Sequence, residues 1–411
     1  MFNSVTDPIP QLRQEIEKIL IQSDGEKFLA LRDPFGYSME ILLFKPEIWE
    51  LFQSFDGIRS IRQLQQEIFD ASGEMIVSDQ LLQFIQTLDR NLLLESDLFL
   101  QMREEQDRHF LQTTVRPAAH AGQAYPDNPD ELIRFIQDLF DRSVTEVPAK
   151  PPVGIIVPHI DLRVGGGVYI PGYRALTCSD ADTYIILGTS HYSGEDYFIL
   201  TEKDFETPLG VLRTDKEFVK ALRRNCPVPL IENDVAHRPE HSIEFQVLFL
   251  QYLFGNESKK IVPILCSSLS EFFEDGQSPM SSRKFQSFIS SLKQTIGDLN
   301  RKVVYILSVD WSHIGHKFGD AQSASSLLPL IRESDQRQLQ MVAGGEYDQF
   351  LHLLAQSENA TRIDGFSCYS TFHFAAEPDE GLLLEYQQWH EEEKESGVTF
   401  ASMAFYNQNH T

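Results

Sequence analysis

The feature that most limits the fold of this chain is a set of four short, uninterrupted apolar runs, at residues 154–157, 183–187, 261–265 and 303–307. Each run has the length of a strand, and the stretches between the runs are long enough for helices. Strands that are buried on both faces and alternate with helices are typical of a parallel sheet covered by helices. The sequence therefore predicts an α/β fold with a layered, partly parallel sheet flanked by helices.

Other local patterns predict elements around this sheet. Asn128 is followed by Pro129 at the first helical position and by Glu131 three residues after the cap, which indicates the start of a helix. The remaining predictions are a hairpin formed by 197–201 and 210–213, a solvated acidic helix at 377–395 and a final strand at 398–406.

Residues 1–112 are predicted to form a small α+β module, separate from an α/β domain at 113–411. The module begins with strand patterns at 27–31 and 39–43, continues with three helical patterns, and returns to strand character at 91–100. Two strands, three helices and a closing strand pair are the order of a winged helix.

This order of elements, together with the turn Phe55-Asp56-Gly57, resembles the PqqD-like domains that grip the peptide substrates of maturation enzymes. The resemblance implies a module that docks a peptide. The alternative is a module for oligomerisation or docking without any catalytic role. DNA binding is disfavoured because these 112 residues hold 10 basic and 20 acidic side chains.

The charge of the whole chain also argues against several partners. Its 411 residues include 35 basic and 61 acidic side chains, for a net charge of −26, so neither nucleic acid nor anionic lipid is an expected partner. No apolar run approaches the roughly 20 residues of a membrane span, and the first residues lack an export signal. The cysteines fall in no metal-like pair, and we expect a reduced, cytoplasmic protein. They are Cys178, Cys226, Cys266 and Cys368.

Polar side chains follow three of the four apolar runs within a few residues: His159, then His191, then Asp310 with His313. Ligands bind beyond the carboxyl ends of strands in open α/β sheets, so neighbouring parallel strands would bring these groups to one cleft.

A fourth segment adds His237, Glu240, His241 and Glu244. Spacings of three and four predict that His237, His241 and Glu244 lie along one helical face. With His316, six of the twelve histidines lie in or beside these four segments.

Neutral imidazoles with a carboxylate suit a divalent transition metal such as iron, copper or zinc, with positions left open for water, dioxygen or substrate. The residues favour His159 and His191 as ligands and leave His241 open, while His237 and His316 are expected outside the ligand set. Asp310 is also suited to orienting a histidine. The alternative is that each histidine only ends a strand or satisfies a buried backbone group.

A series of motifs then follows in one order along the chain. They are Arg116-Pro117, Ala121-Gly122, Tyr125-Pro126, Val157-Pro158-His159, Leu187-Gly188-Thr189-Ser190-His191, Thr207-Pro208-Leu209-Gly210 with Asp215, Glu240-His241-Ser242-Ile243-Glu244, Ile261-Val262-Pro263-Ile264 and Ser308-Val309-Asp310-Trp311-Ser312-His313. This series, over roughly residues 115–407, resembles the MEMO family, whose bacterial members are AmmeMemoRadiSam system protein B. That family is similar in fold to the LigB-type class III extradiol dioxygenases, which use non-haem iron.

The resemblance implies a metal cleft lined by His159, His191 and His241, and radical-SAM and AMMECR-type proteins as partners. Ser312 lies where some members carry a cysteine ligand, and serine is a poor ligand, so the third ligand stays open. The chain also departs from the family at Asp161 and Arg163, which would place opposite charges at the mouth of the cleft.

We therefore predict His159, His191 and His241 as metal ligands, with iron or copper favoured and zinc as the alternative. The predicted catalytic groups are His241, Asp310, His313 and Glu240. Residues 364–371, with Asp364 and Cys368, are predicted to be a loop that also lines the cleft.

Three functions are compatible with these residues. The first is a redox enzyme of dioxygenase type, in which His241 or His313 moves protons and a peptide or small molecule is the substrate. The second is a peptide-binding adaptor that uses the same cleft without turnover. The third is zinc-assisted hydrolysis with Glu240 or Glu244 as the base.

Overall fold

The computed structural model describes residues 2–23, 25–38, 40–73, 75, 77–192, 196–274 and 276–407. The chain divides into two compact units, Met1–Gln112 and Thr113–Thr411. Among the helices in these described ranges, none is both long and apolar enough to cross a membrane.

The first unit contains a three-stranded antiparallel sheet and four helices. In chain order the elements are β1 (Glu17–Ser23), β2 (Glu26–Arg32), β3 (Leu42–Phe44), α1 (Ile48–Gln53), α2 (Ile61–Ser72), α3 (Ser78–Arg90) and α4 (Asp97–Gln112). The strands pair in the order β1-β2-β3, and one apolar cluster with Leu31, Phe52, Ile85 and Leu94 at its centre is shared by the sheet and the helices.

Two strand predictions for this unit differ from the structure. Residue 39 lies outside the described residues, and β3 begins only at Leu42. The strand predicted at 91–100 is wrong, because α4 begins at Asp97 and Leu94 makes only an isolated bridge. The hydroxyl of Ser96 accepts the N–H of Phe99 at 3.2 Å, which starts a helix where the apolar residues alone indicated a strand.

The second unit is built on an eight-stranded sheet in the order β12-β14-β5-β11-β6-β10-β7, with β13 also paired to β14. The strands of the unit are β4 (Val115–Arg116), β5 (Gly154–Val157), β6 (Thr183–Thr189), β7 (Phe198–Leu200), β8 (Asp204–Thr207), β9 (Gly210–Leu212), β10 (Lys260–Cys266), β11 (Val303–Ser308), β12 (His313–Gly315), β13 (Glu380–Glu391) and β14 (Ser396–Tyr406). The helices are α5 (Pro129–Arg142), α6 (Leu162–Leu176), α7 (Lys216–Asn225), α8 (His241–Phe254), α9 (Ser270–Glu274), α10 (Arg283–Leu299), α11 (Ala324–Ala343), α12 (Tyr347–Ser357) and α13 (Phe366–Ala376).

The four uninterrupted apolar runs form the centre of this sheet. They are β5, β11, β6 and β10, and each neighbouring pair is parallel. Their side chains are buried on both faces, in two separate apolar clusters. The predicted α/β fold with a partly parallel sheet is thus confirmed, as are the final strand, β14, and the helix that Asn128 caps.

The predicted acidic helix at 377–395 is wrong, because most of it forms β13, antiparallel to β14. Its adjacent residues Leu383 and Leu384 pack against different apolar clusters, as successive side chains of a strand do. The predicted hairpin of 197–201 with 210–213 is also wrong. β7 pairs with the sheet edge at β10, whereas β9 pairs with β8, an element that the sequence patterns did not indicate.

Candidate metal centre

Three parallel strands deliver their last residues to one edge of the sheet. Ser308 at the end of β11 is in register with Val157 of β5 and with Gly188 of β6. His159, His191 and Asp310 follow within three residues of these positions, so they reach the same side of the sheet.

His159, His191 and His241 form one cluster. Their ring centroids are 5.0 Å apart for His159 and His191, 5.2 Å for His159 and His241, and 4.9 Å for His191 and His241. One ring nitrogen of each lies within 4.8 Å of the other two. The three side chains range from buried to one-third exposed, so the cluster could hold a metal ion that remains accessible from solvent.

Two of these imidazoles are held by outer hydrogen bonds that leave Nε2 for an ion. Nδ1 of His159 lies 3.0 Å from the carbonyl oxygen of Ser308, which only accepts, so Nδ1 carries the proton. Nδ1 of His191 lies 2.9 Å from Oε1 of Glu240. Partners of this kind, a carbonyl or a carboxylate on the second nitrogen, are typical supports of metal-binding histidines.

Asp364 brings a carboxylate to the same nitrogens. Its Oδ2 lies 3.0 Å from Nε2 of His159 and 4.0 Å from Nε2 of His191. Neither oxygen of Asp364 has a well-directed hydrogen bond from another described residue. Lone pairs on Nε2 and Oδ2 at this separation repel each other unless a proton or a metal ion lies between them, so the three side chains fit a cation.

The sequence predicted Asp364 only as part of a loop that lines the cleft. That loop is shorter than predicted, because α13 begins at Phe366 and contains Cys368, which is fully buried with its Sγ 3.9 Å from Oγ1 of Thr189. No local pattern distinguishes Asp364 from other loop aspartates. Its position depends on the packing of α13 beside the ends of β6 and β11.

The charges around His159 favour a cation between the side chains. Burial alone would lower the pKa of His159, but Asp310 and Asp364 outweigh it and raise the pKa to about 10. Burial opposes ionisation of Asp364 as well, yet the neighbouring His159 lowers its pKa. Burial raises the pKa of Asp310, whose Oδ1 accepts the backbone N–H groups of His159 and Ile160.

Glu240 is bonded to two of the three histidines of the cluster. It is 1% exposed, and its two oxygens accept the backbone N–H and the Nδ1 proton of His191 and the N–H groups of His241 and Ser242, at 2.9 to 3.0 Å. Burial would raise its pKa, but His191 and these hydrogen bonds hold the pKa well below its usual range. Glu240 therefore caps α8 and orients one ligand nitrogen at the same time.

His241 and His313 are the other two imidazoles that the sequence predicted for the site. His241 is the first residue of α8, and burial and the neighbouring imidazoles hold its pKa well below the usual value, so the ring is neutral. Nδ1 of His313 lies 3.1 Å from the carbonyl oxygen of Trp311 and 3.0 Å from that of Arg362. His313 thus carries a proton on Nδ1, because carbonyl oxygens only accept hydrogen bonds.

Several predicted positions lie elsewhere. His237 does not share a helical face with His241, because it ends a separate 3₁₀ turn and its Nε2 donates to the carbonyl of Ile199 at 2.9 Å. His316 is exposed in another 3₁₀ turn. The hydroxyl of Ser312 is buried and donates to Asp335 at 2.7 Å, so it is not directed to an ion.

The charges predicted at the mouth of the cleft pair with each other. The guanidinium of Arg163 donates to Asp161 at 2.5 and 2.9 Å, and Asp161 also accepts the backbone N–H of Arg163 at the start of α6. The pair adds no net charge to the cleft.

A buried ion pair underlies the segment around Glu240. Arg116 and Glu244 are both fully buried and bonded to each other. The guanidinium also donates to the carbonyl oxygens of His237 at 2.9 Å and Glu240 at 2.7 Å. The pair of Arg116 and Glu244 therefore fixes the backbone of the residues that lead into α8.

The sequence of this chain is similar to those of known proteins. A family model of the Memo-like protein matches residues 116–404. A MEMO1 family protein of Aquifex aeolicus is 36% identical over 391 residues, which cover 94% of this chain and 98% of the relative. MEMO1 family proteins of Ignicoccus hospitalis (35% over 48% of this chain and 69% of the relative) and Thermus thermophilus (26% over 75% and 87%) are also similar. The chain belongs to the Memo-like protein family.

Proposed function

We propose that this chain is a metal-dependent redox enzyme of dioxygenase type, whose ion is held by His159, His191 and Asp364. The observation that carries the proposal is the approach of two Nε2 atoms to one carboxylate oxygen, since Oδ2 of Asp364 lies 3.0 Å from Nε2 of His159 and 4.0 Å from Nε2 of His191. Two histidines and one carboxylate with open positions are the donor set of non-haem iron(II) oxygenases. His241 is the alternative third ligand.

The donor set also favours iron(II) over copper among the predicted metals. No thiolate takes part, and Cys368 is buried with a raised pKa because burial and the thiol of Cys266 oppose its ionisation. Thiolates and thioethers are the ligands that select copper(I), whereas imidazole with a carboxylate suits iron(II) or zinc. When bound, iron(II) would supply one-electron chemistry towards dioxygen and substrate.

The remaining side chains have separate tasks under this proposal. Glu240 and the carbonyl of Ser308 hold the ligand imidazoles in one orientation, and Asp310 fixes the backbone at His159. His313 is the proposed proton acceptor, because two carbonyl oxygens face its Nδ1 and Nε2 is the ring nitrogen that they leave for this task. His241 is neutral and suited to donate a hydrogen bond or to bind the ion.

Hydrolysis and adaptor functions have less support from the geometry. The oxygens of Glu240 and Glu244 are occupied by backbone N–H groups and charged or hydroxyl donors, which leaves neither as a ready base. We also propose that the first unit docks a peptide substrate and that the protein acts with radical-SAM and AMMECR-type partners. The support for both points is the resemblance to known families.

Elemental analysis of protein purified without oxygen tests the metal and its ligands. We expect iron in the wild type, loss of metal after His159→Ala with His191→Ala, and at least about tenfold weaker iron binding after Asp364→Asn. Asp161→Asn, which changes a carboxylate at the rim of the cleft, is the control and should retain the metal.

Three outcomes would contradict the assignment. Zinc in place of iron would favour hydrolysis, and protein that binds no metal but retains a peptide would favour the adaptor. Full iron binding in Asp364→Asn with loss in His241→Asn would make His241 the third ligand.

A further inference from the structure

One half-exposed histidine lies beside the metal cluster and has no task in the proposed function. His120 is in the segment between β4 and α5, and its ring centroid lies 5.7 Å from that of His241 and 5.8 Å from that of Phe245. Its Nε2 lies 2.8 Å from the carbonyl oxygen of Pro239. Because a carbonyl only accepts, Nε2 carries a proton, and Nδ1 is the ring nitrogen left to accept a hydrogen bond.

The backbone that carries His120 is fixed by the buried ion pair. Glu244 accepts the N–H groups of Ala119 and His120, each at 3.0 Å, and the hydroxyl of Tyr125 donates to the same carboxylate. Arg116 neutralises that carboxylate from the other side. A histidine whose backbone is held by a buried network keeps one position beside the cleft, which is what selective binding requires.

The bond to Pro239 fixes the ring as well as the backbone. Rotation of the ring to present Nε2 to the cleft would break the 2.8 Å hydrogen bond, so Nδ1 is the nitrogen left for a ligand. Within the described residues no donor is bonded to this Nδ1. Arg116 is paired with Glu244, and Arg163 is paired with Asp161.

We propose that His120 is a specificity residue of the cleft, which accepts a hydrogen bond at Nδ1 from a hydroxyl or N–H group of a metal-bound ligand. The ligand class is a small chelating group, free or on a peptide, that binds the ion through oxygen and keeps an O–H or N–H donor next to it. The inference rests on the proposed function, because the ion must hold the other end of the ligand.

Two hydroxamates test this role on the full-length protein loaded with cobalt(II), whose visible spectrum reports binding. Acetohydroxamate has an N–H donor next to its chelating oxygens, and N-methylacetohydroxamate does not. We expect wild type to bind the first about tenfold more tightly than the second, which corresponds to one hydrogen bond.

Substitutions separate the acceptor from the anchor. His120→Gln can keep a donor for Pro239 but moves the acceptor away from the place of Nδ1, so the preference between the probes should disappear. His120→Asn keeps an acceptor near that place and should restore most of the preference. His352→Gln, an exposed histidine of α12, is the matched control and should behave as wild type.

The outcomes distinguish this role from the metal site itself. Equal affinity of wild type for both probes, or an unchanged preference in His120→Gln, would overturn the role of His120 while the metal site stands. Loss of cobalt from His120→Gln would make it a support of the ion, which also overturns the role. A wild type that binds no cobalt would overturn the proposed function and this inference together.

Discussion

Each unit of the chain buries one arginine against one carboxylate, and the two pairs serve different ends. In the first unit Arg13 donates to Asp33 at 2.8 Å and to the carbonyl of Leu92 at 2.9 Å, with its guanidinium 3.9 Å from the ring centre of Phe99. Asp33 further accepts the N–H groups of a tight turn. The hydrogen bonds of this pair therefore serve the packing of the first unit.

The pair in the second unit leads to the candidate site. Arg116 and Glu244 share the same chemistry, but their other hydrogen bonds include those to the carbonyl of Glu240 and to the backbone of His120. Both pairs carry the desolvation penalty of buried charges, so we do not expect them to add much to stability. Their effect is to fix the position of the backbone around them. In one unit that is a turn, and in the other it is the chain around the imidazoles.

The largest effect is expected from Arg116→Met. Glu244 would remain buried without its counter-charge, which should lower the free energy of unfolding by about 3–5 kcal/mol. Iron content should also fall, because the carbonyl of Glu240 loses its partner and the carboxylate that holds His191 can shift. Urea titration and elemental analysis measure the two effects.

A second variant separates charge from position. Arg116→Met combined with Glu244→Leu removes both charges and should recover much of the stability, while iron content stays low. If iron content were normal in either variant, the pair would be a packing device like that of the first unit.

Arg13→Met tests the other half of the comparison. It should lower the free energy of unfolding of the first unit by about 3 kcal/mol, because Asp33 loses its counter-charge in a buried turn. Hydrogen exchange should increase within 1–112 only, and iron content should not change. A loss of iron in this variant would show that the two pairs do not differ as described.

The smallest effect concerns pH and the buried His237, whose carbonyl Arg116 holds. Burial lowers the pKa of His237 to about 4 in the folded protein, against an ordinary value of 6.5. The contribution of the neutral His237 ring to the free energy of unfolding is fully present above pH 6.5. It falls at lower pH because His237 takes up a proton in the unfolded chain before it does so in the folded protein. Between pH 7 and pH 5 the loss should be about 2 kcal/mol.

Urea titrations of wild type and His237→Gln at both pH values check this. Glutamine can keep the donation to the carbonyl of Ile199 but does not titrate, so the variant should lose about 2 kcal/mol less than wild type over this range. Equal pH dependence of the two proteins would contradict the assignment of a neutral, buried His237.

The parts of the fold that sequence patterns predicted are those determined locally. The runs at β5, β6, β10 and β11 are apolar without interruption because both of their faces are covered, and the histidines that follow two of them met as expected. By contrast, no residue of β13 is fully buried, its sequence mixes apolar with polar and acidic residues, and its strand form depends on pairing with β14. Composition alone could not indicate that pairing.

The site shows the same limit. His159 and His191 follow strands of a recognisable type, so their meeting follows from the parallel order of β5, β11 and β6. Asp364 lies more than fifty residues after β11, in a short segment before α13, and only the packing of that helix brings it to the imidazoles. His120 depends in the same way on an ion pair between residues 128 positions apart.

The position of β14 has a consequence for the order in which this protein can fold. All eleven of its residues are buried, and it pairs with β12, β13 and β5, each of which precedes it in the chain. Until β14 leaves the ribosome, the backbone of β5 beside His159 has an open edge that other chains can join. Emergence of β14 thus sets the earliest moment at which the edge of β5 is covered, and stalling before residue 396 should favour aggregation through that edge.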